Sequence, residues 1–194
     1  MNTDSEILSR SQDEPGAFAE LFERHAAAIG GYARRRVGAD AADDVLSETF
    51  LVAFRRRASF DREATSARPW LLGIATRVIH RLRRVEARQW RLGFGEAETV
   101  SSHESRADAQ LDAASALRRL APRIAALSQR ERDVLFLYAW EELTYEQIAS
   151  ALNVPVGTVR SRLSRVRQKL GPPDSRGPGR VTWIAKEEAN VVGG

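Results

Sequence analysis

The 194 residues contain no cysteine, which excludes a disulfide scaffold and any thiolate metal site and leaves nothing to argue for an oxidising compartment. Histidine occurs only at His25, His80 and His103, far apart and without ligand spacing. No apolar run approaches the ~20 residues of a membrane span, and the amino terminus, MNTDSEILSR, lacks the basic-then-apolar order of a signal peptide. A cytoplasmic chain without membrane insertion is expected. No segment alternates convincingly with period two, so strands are not expected either. Enzyme chemistry finds no footing. There is no serine nucleophile elbow, and GFGE at 93–96 is too short for a phosphate loop. Asp40, Asp43, Asp44 and Glu48 spread around a helix, whereas hard-cation ligands converge on one point. The expectation is no catalysis, no metal, no cofactor and no small-molecule substrate.

What is present is helical patterning and arginine. An apolar fraction of 43% allows a packed core, and the length allows one ordinary domain or two small ones. Nearly all the positive charge is arginine, which suits forked contacts to phosphate and base edges but also fits a GC-rich genome. From residue 17 to 90 the pattern is almost continuously helical, with Phe18, Leu21, Phe22, His25 and Ile29 at helical spacing and Gly30-Gly31 a weak point. Residues 91–111, beginning RLGFGEAETVSSHESRADAQ, lose that period and have a linker's composition. Helical patterning returns over 112–170, and GPPDSRGPG then opens a tail, 171–194, read as disordered, with the apolar VTWIA its one candidate docking segment. The fold class is all-α: two small helical domains, 12–90 and 112–170, joined by a flexible linker.

The second domain carries two helix starts with a mechanism. Ser128 with Glu131, and Thr144 with Gln147, are capping boxes in which side chains and free backbone N–H groups satisfy each other. Asn153 stands at a turn where positive φ is tolerated, and Pro155 fits the first turn of the next helix. In NVPVGTVRSRLSRVRQKL, Val159, Leu163, Val166 and Leu170 form one inward stripe. The outer face holds Gly157, Ser161, Ser164, Arg165 and Gln168, flanked by Arg160, Arg162, Arg167 and Lys169. A basic outer face can simply be solvated. A helix entering a major groove, however, needs small residues for close approach, arginines that fork onto guanine and flanking cations for phosphates, and all are here. LTYEQIASALNVPVGTVRSRLSRVRQKL resembles the promoter-reading helix-turn-helix of the sigma-70 family of bacterial RNA polymerase sigma factors, extracytoplasmic-function group, and LSQRERDVLFLYAWEEL resembles the helices before it. Asn153 stands where that family commonly has Gly. The resemblance implies a sigma domain four that reads the minus-thirty-five element through Gly157, Thr158, Arg160, Ser161, Arg162, Ser164 and Arg165, and docks on the flap of the polymerase beta subunit.

In the first domain, DAADDVLSETFLVAFRRR places Ala42, Leu46, Thr49, Phe50 and Ala53 on an inward stripe and Asp44, Ser47, Glu48 and Leu51 on the other side. A leucine framed by acids fits a docking patch for a partner with a basic rim; spacing alone fits a solvated acidic face equally well. The stretch is similar to the sigma helix that binds the clamp helices of the beta-prime subunit, with Ser47 in place of an expected Gln. In FDREATSARPWLLGIATRVIHRLRRVEAR, Phe60 and Trp70 flank a loop, and Arg77, Arg81, Arg84 and Arg88 recur along a helix. Aromatics beside a cationic helix suit a single strand, although Trp70 fits a core position as well. The resemblance implies that this part of sigma domain two opens the minus-ten element and captures a flipped base in the loop from Thr65 through Ser66 to Arg68, with Arg77 where Asn is typical. The implied partners are core RNA polymerase, promoter DNA as duplex and single strand, and an anti-sigma factor. A free-standing helix-turn-helix regulator is the alternative; it binds its site unaided, usually as a dimer on a palindrome.

Overall fold

The computed structural model describes residues 2–91 and 120–171, the side chains of 89–91 excepted. The expected linker and tail, with GFGE, His103 and VTWIA, lie outside the described residues except for residues 91 and 171. Among the described residues there is no strand; the helices are α1 (Asp4–Asp13), α2 (Phe18–Val37), α3 (Ala42–Arg55), α4 (Arg68–Arg91), α5 (Gln129–Ala139), α6 (Tyr145–Leu152) and α7 (Val156–Leu170). A further helical stretch covers 120–125. By their contacts, α1 to α4 and α6 form one compact unit, and α5 with α7 belong to a second.

In the first unit, α1 begins ahead of the expected domain boundary at residue 12. Thr3 and Glu6 form a reciprocal capping box, Thr3 N to Glu6 Oε2 at 2.7 Å and Glu6 N to Thr3 Oγ1 at 3.2 Å, and Ile7 and Leu8 are buried behind it. Helix α2 runs through Gly30-Gly31 without a break. Each glycine costs about 1 kcal/mol of helix propensity, but Ile29, Tyr32 and Ala33 are fully buried around the pair and outweigh that cost. Gly38, at φ +85°, ends the helix in a conformation other residues rarely adopt. Phe18 meets Phe50 and Phe54 edge-on, and Phe22 meets Phe50 at 4.8 Å.

The inward face of α3 is Ala42, Val45, Thr49, Phe50 and Ala53. Val45 thus takes the core position expected for Leu46, which is half-buried with a methyl 3.7 Å from the site of a Cβ at Gly30. Positions 45 and 46 both lie within a helical stripe running from 42 to 49, and tertiary packing decides between them. Leu71, Leu72, Ile74, Ala75 and Ile79 of α4 complete the core, and Tyr32 Oη to Thr76 Oγ1, 2.8 Å, satisfies its buried hydroxyls. Gly73 lies against α6: a Cβ there would overlap the Ala151 backbone carbonyl.

Helix α6 starts with the expected Thr144–Gln147 box and ends at Asn153 in the left-handed region, φ 53° and ψ 57°, with Val154 N donating to Ala149 O. Pro155 sits one residue earlier than expected, at the cap of α7. In the second unit α7 packs on α5, burying Val159, Leu163, Val166 and Leu170, at roughly 1.5–3 kcal/mol per side chain. The Ser128–Glu131 capping box starts α5, and Lys169 Nζ donates to Glu131 Oε2 at 2.8 Å. The Lys169 and Ser128 hydrogen bonds hold the Glu131 carboxyl down at about 2, against an ordinary 4.5.

Because the folded pKa of Glu131 lies below the unfolded one, its charge stabilises the fold above pH 4.5, and that contribution disappears as pH falls toward about 2. Lys169 is half exposed, so water screens the pair. Glu131→Gln is therefore expected to cost about 1 kcal/mol at pH 7, with wild type and variant converging across that acid window in thermal melts; a pH-independent difference would assign the effect to packing.

Candidate functional site

Three surfaces gather the residues singled out in the sequence. The first is a groove of about 500 Å³ between α3 and α4. Its α3 wall is Asp44, Val45, Ser47, Glu48 and Leu51, and its α4 wall is Val78, Arg81, Leu82 and Val85. All four expected docking residues of α3 line it together. Leu51 is 43% exposed and Val85 48%, so the groove presents unpartnered apolar surface inside an acidic rim. Arg81 Nη2 donates to Glu48 Oε1 at 2.7 Å across it. That pair puts Arg81 on the groove, although the arginine periodicity groups it with a strand-holding row. The apolar α4 wall carries no sequence signal of its own, because Val78, Leu82 and Val85 read as ordinary helical core positions.

The second surface is the connection before α4. Phe60 is buried, and its ring meets Trp70 edge-on at 5.3 Å, so the pair fixes both ends of the loop. Trp70 is half-buried and Thr65 exposed at the tip, with Ser66 and Arg68 half-buried. Arg68 N donates to Ser66 Oγ at 3.2 Å. Farther along α4, Arg84 and Arg88 are exposed. Arg77 donates to Ala151 O at 3.1 Å, and burial together with neighbouring Arg56 lowers its pKa. The arginines of α4 therefore do not form one row: Arg81 turns to the groove, Arg77 to α6, and Arg84 and Arg88 to solvent.

The third surface is the outer face of α7, where Gly157, Arg160, Ser161, Ser164 and Arg165 are all exposed and Thr158 is half-buried. A Cβ at Gly157 would meet nothing within 4 Å, so packing inside the protein does not demand a glycine there. Ser161 Oγ bonds back to Thr158 O, leaving Arg160 and Arg165 as the long-reaching donors of that face. Arg162 is half-buried, and burial and Arg130 lower its pKa. At the carboxy-terminal end of α5 an aromatic pair that the sequence did not single out is visible: Trp140, the 40% exposed cap residue, stacks on Phe136 at 4.0 Å. No group of three or more His, Asp or Glu side chains able to hold a metal is found among the described residues, and no described helix is long and apolar enough to cross a membrane.

Comparison with known proteins gives the family. The family model described as Sigma-70 region 2 matches residues 21–89, and that of Sigma-70, region 4 matches residues 117–170. The chain is similar to RNA polymerase sigma factor HrpL of Pseudomonas syringae pv. syringae, 34% identical over 145 residues, 73% of this chain and 78% of the relative. It is also similar to the ECF RNA polymerase sigma factor SigL of Mycobacterium tuberculosis, 31% identical over 151 residues, 77% of this chain and 84% of the relative. Two solved structures share the fold. CnrH, solved in complex with the cytosolic domain of CnrY, matches at a TM-score of 0.61 and 24% identity over 97% of this chain and 99% of that one. The sigma factor RpoE of Bartonella quintana, in complex with the anti-sigma factor NepR, matches at 0.61 and 22% over 79% and 93%. With both region models in order along the chain and relatives of this identity and coverage, the protein belongs to the sigma-70 family of RNA polymerase sigma factors, in its extracytoplasmic-function group.

Proposed function

We propose that this sigma factor engages core RNA polymerase through the α3–α4 groove, holds the opened minus-ten strand on the loop before α4 and the exposed face of α4, and reads the upstream duplex with α7. The observation that carries the reading is the groove: Asp44, Ser47, Glu48 and Leu51 line one apolar cleft with an acidic rim, the surface a basic-rimmed helical partner needs. The beta-prime clamp helices are that partner. Thr65, Ser66 and Arg68 take the flipped base, Phe60 and Trp70 brace the loop, and Arg84 and Arg88 hold phosphates. Residues 12–90, together with α1 ahead of them, act as sigma domain two and 112–170 as sigma domain four; the matched ranges 21–89 and 117–170 support this. Trp140, exposed beside Phe136, offers an apolar contact to the beta flap. An anti-sigma factor competes for the groove; the RpoE of similar fold was solved with one. The protein acts in the cytoplasm, where its polymerase is, and the chemistry of nucleotide addition stays with the polymerase.

The direct test is run-off transcription from the promoter of the protein's own operon with core polymerase alone, the chain alone and both. Specific initiation is expected only with both; binding of the unaided chain to a palindrome would point to a free-standing regulator instead. Glu48→Lys places two cations, the introduced ammonium and the Arg81 guanidinium, in one groove, and is expected to weaken binding to core by about 2–4 kcal/mol, a cost typical of juxtaposed like charges. Unchanged affinity would move the docking face elsewhere. Arg165→Ala is expected to cost about 1–3 kcal/mol in upstream recognition and to relax base preference at one position. An equal loss on every sequence would make Arg165 a phosphate contact.

A further inference from the structure

Asp4 is 4% exposed in the first turn of α1, and its carboxylate gathers donors from two other parts of the first unit, α2 and the loop before α4. Arg24 Nη1 donates to Oδ1 at 2.6 Å, and His25 Nε2 lies 2.8 Å from Oδ2, both from α2. From the loop before α4, the Ala67 backbone N–H donates to Oδ2 at 2.7 Å and Ser66 Oγ at 3.3 Å. Burial pushes the Asp4 carboxyl pKa up, but the Ala67 N–H, the charge and hydrogen bond of His25 and the Arg24 bond outweigh it, and the pKa ends below the ordinary value. The group is therefore a charged, buried acceptor, the kind that costs most when one partner is lost.

The bonds converge on the loop of the proposed base-capturing site. Ala67 is fully buried and its carbonyl accepts the first α4 bond, from Leu71 N, so fixing its N–H fixes where α4 begins. Helix α1 holds the same connection at two other points: Ser5 Oγ donates to Arg62 O at 3.1 Å, and Arg57 Nε donates to Ser11 O at 3.1 Å. The loop's own bonds are short-range, Ala64 N to Asp61 O and Glu63 N to Asp61 Oδ1. Helix α1 thus holds the loop at Arg62, Ser66 and Ala67.

We propose that Asp4 is a positioning residue for promoter selectivity: its buried carboxylate, held by Arg24 and His25, clamps the loop 61–67 so that Thr65 and Ser66 meet the flipped minus-ten base, which makes α1 part of the minus-ten reader although it lies outside the region 2 match at 21–89. This rests on the assignment of that loop to the minus-ten base.

The test uses the full chain with core polymerase and a pool of duplex templates randomised across both promoter elements, sequenced after holoenzyme capture. Asp4→Asn keeps the side chain's shape and removes the charge. It is expected to lower base enrichment at the minus-ten element by about tenfold, the loss of one good base contact, while minus-thirty-five enrichment and affinity for core stay at wild-type values. A protein with Asp4 as a merely structural residue would lose affinity for core and both elements together, which overturns the proposal, as does an unchanged minus-ten profile. Thr65→Ala separates the two assignments. A fall with Thr65→Ala but not with Asp4→Asn sinks the clamp alone; no fall with either sinks the loop assignment and the clamp with it. If Asp4→Asn does not fold, Ser5→Ala, which removes only the exposed bond to Arg62, decides: a selective fall in minus-ten enrichment upholds the clamp and an unchanged profile overturns it.

Discussion

The burial of Leu71, Leu72, Ile74, Ala75 and Ile79 along α4 is the constraint to which the first unit answers. Once that stripe faces α2 and α3, the helix has no freedom to turn, and its remaining positions are distributed by geometry at 100° per residue. Val78, Leu82 and Val85 must then fall beside α3 and become the second wall of the groove. Trp70, at the start of the helix, must fall beside Phe60. The groove and the loop are thus two consequences of one packed face, and a core change at Leu71 or Ile79 would disturb both.

Capping chemistry and the apolar stripe of α7 were legible in the sequence because each is local. Ser128 with Glu131, Thr144 with Gln147, and Asn153 at positive φ all stand as the residue types require. The four inward residues of α7 are the four buried ones. The same rule applied at Thr3 and Glu6, followed by Ile7 and Leu8, announces α1 just as clearly, and that helix begins ahead of the domain boundary expected at residue 12. The α2 glycines fail differently. Propensity marks a weak point at Gly30-Gly31, and the burial of Ile29, Tyr32 and Ala33 overrides it.

Other features depend on contacts that no local pattern encodes. Whether Val45 or Leu46 faces the core is settled by what α3 packs against. Arg81 belongs to a row of arginines by spacing but to the groove by its partner, Glu48, 33 residues earlier. The grouping of α6 with α1 to α4 turns on Gly73, where only a missing Cβ lets the Ala151 carbonyl approach, and a lone glycine in a helical pattern gives no hint of its partner. Asp4 and His25 are 21 residues apart, and their joint hold on Ala67 is visible only in three dimensions.

For the docking proposed above, the electrostatics of the groove favour exchange of partners over permanence. Arg81 is 63% exposed, so its bond to Glu48 is worth at most about 1 kcal/mol in water. A basic partner can replace that guanidinium with its own cation at little cost. The exposed surfaces of Leu51 and Val85 supply a favourable term that is independent of the sign of any charge, at roughly 25 cal/mol per Å² covered. Affinity then rests on the apolar floor and selectivity on the acidic rim, so two competitors that share an apolar helix with basic flanks would meet the same groove on nearly equal terms. Which one holds it is then decided by the contacts each makes elsewhere on the chain.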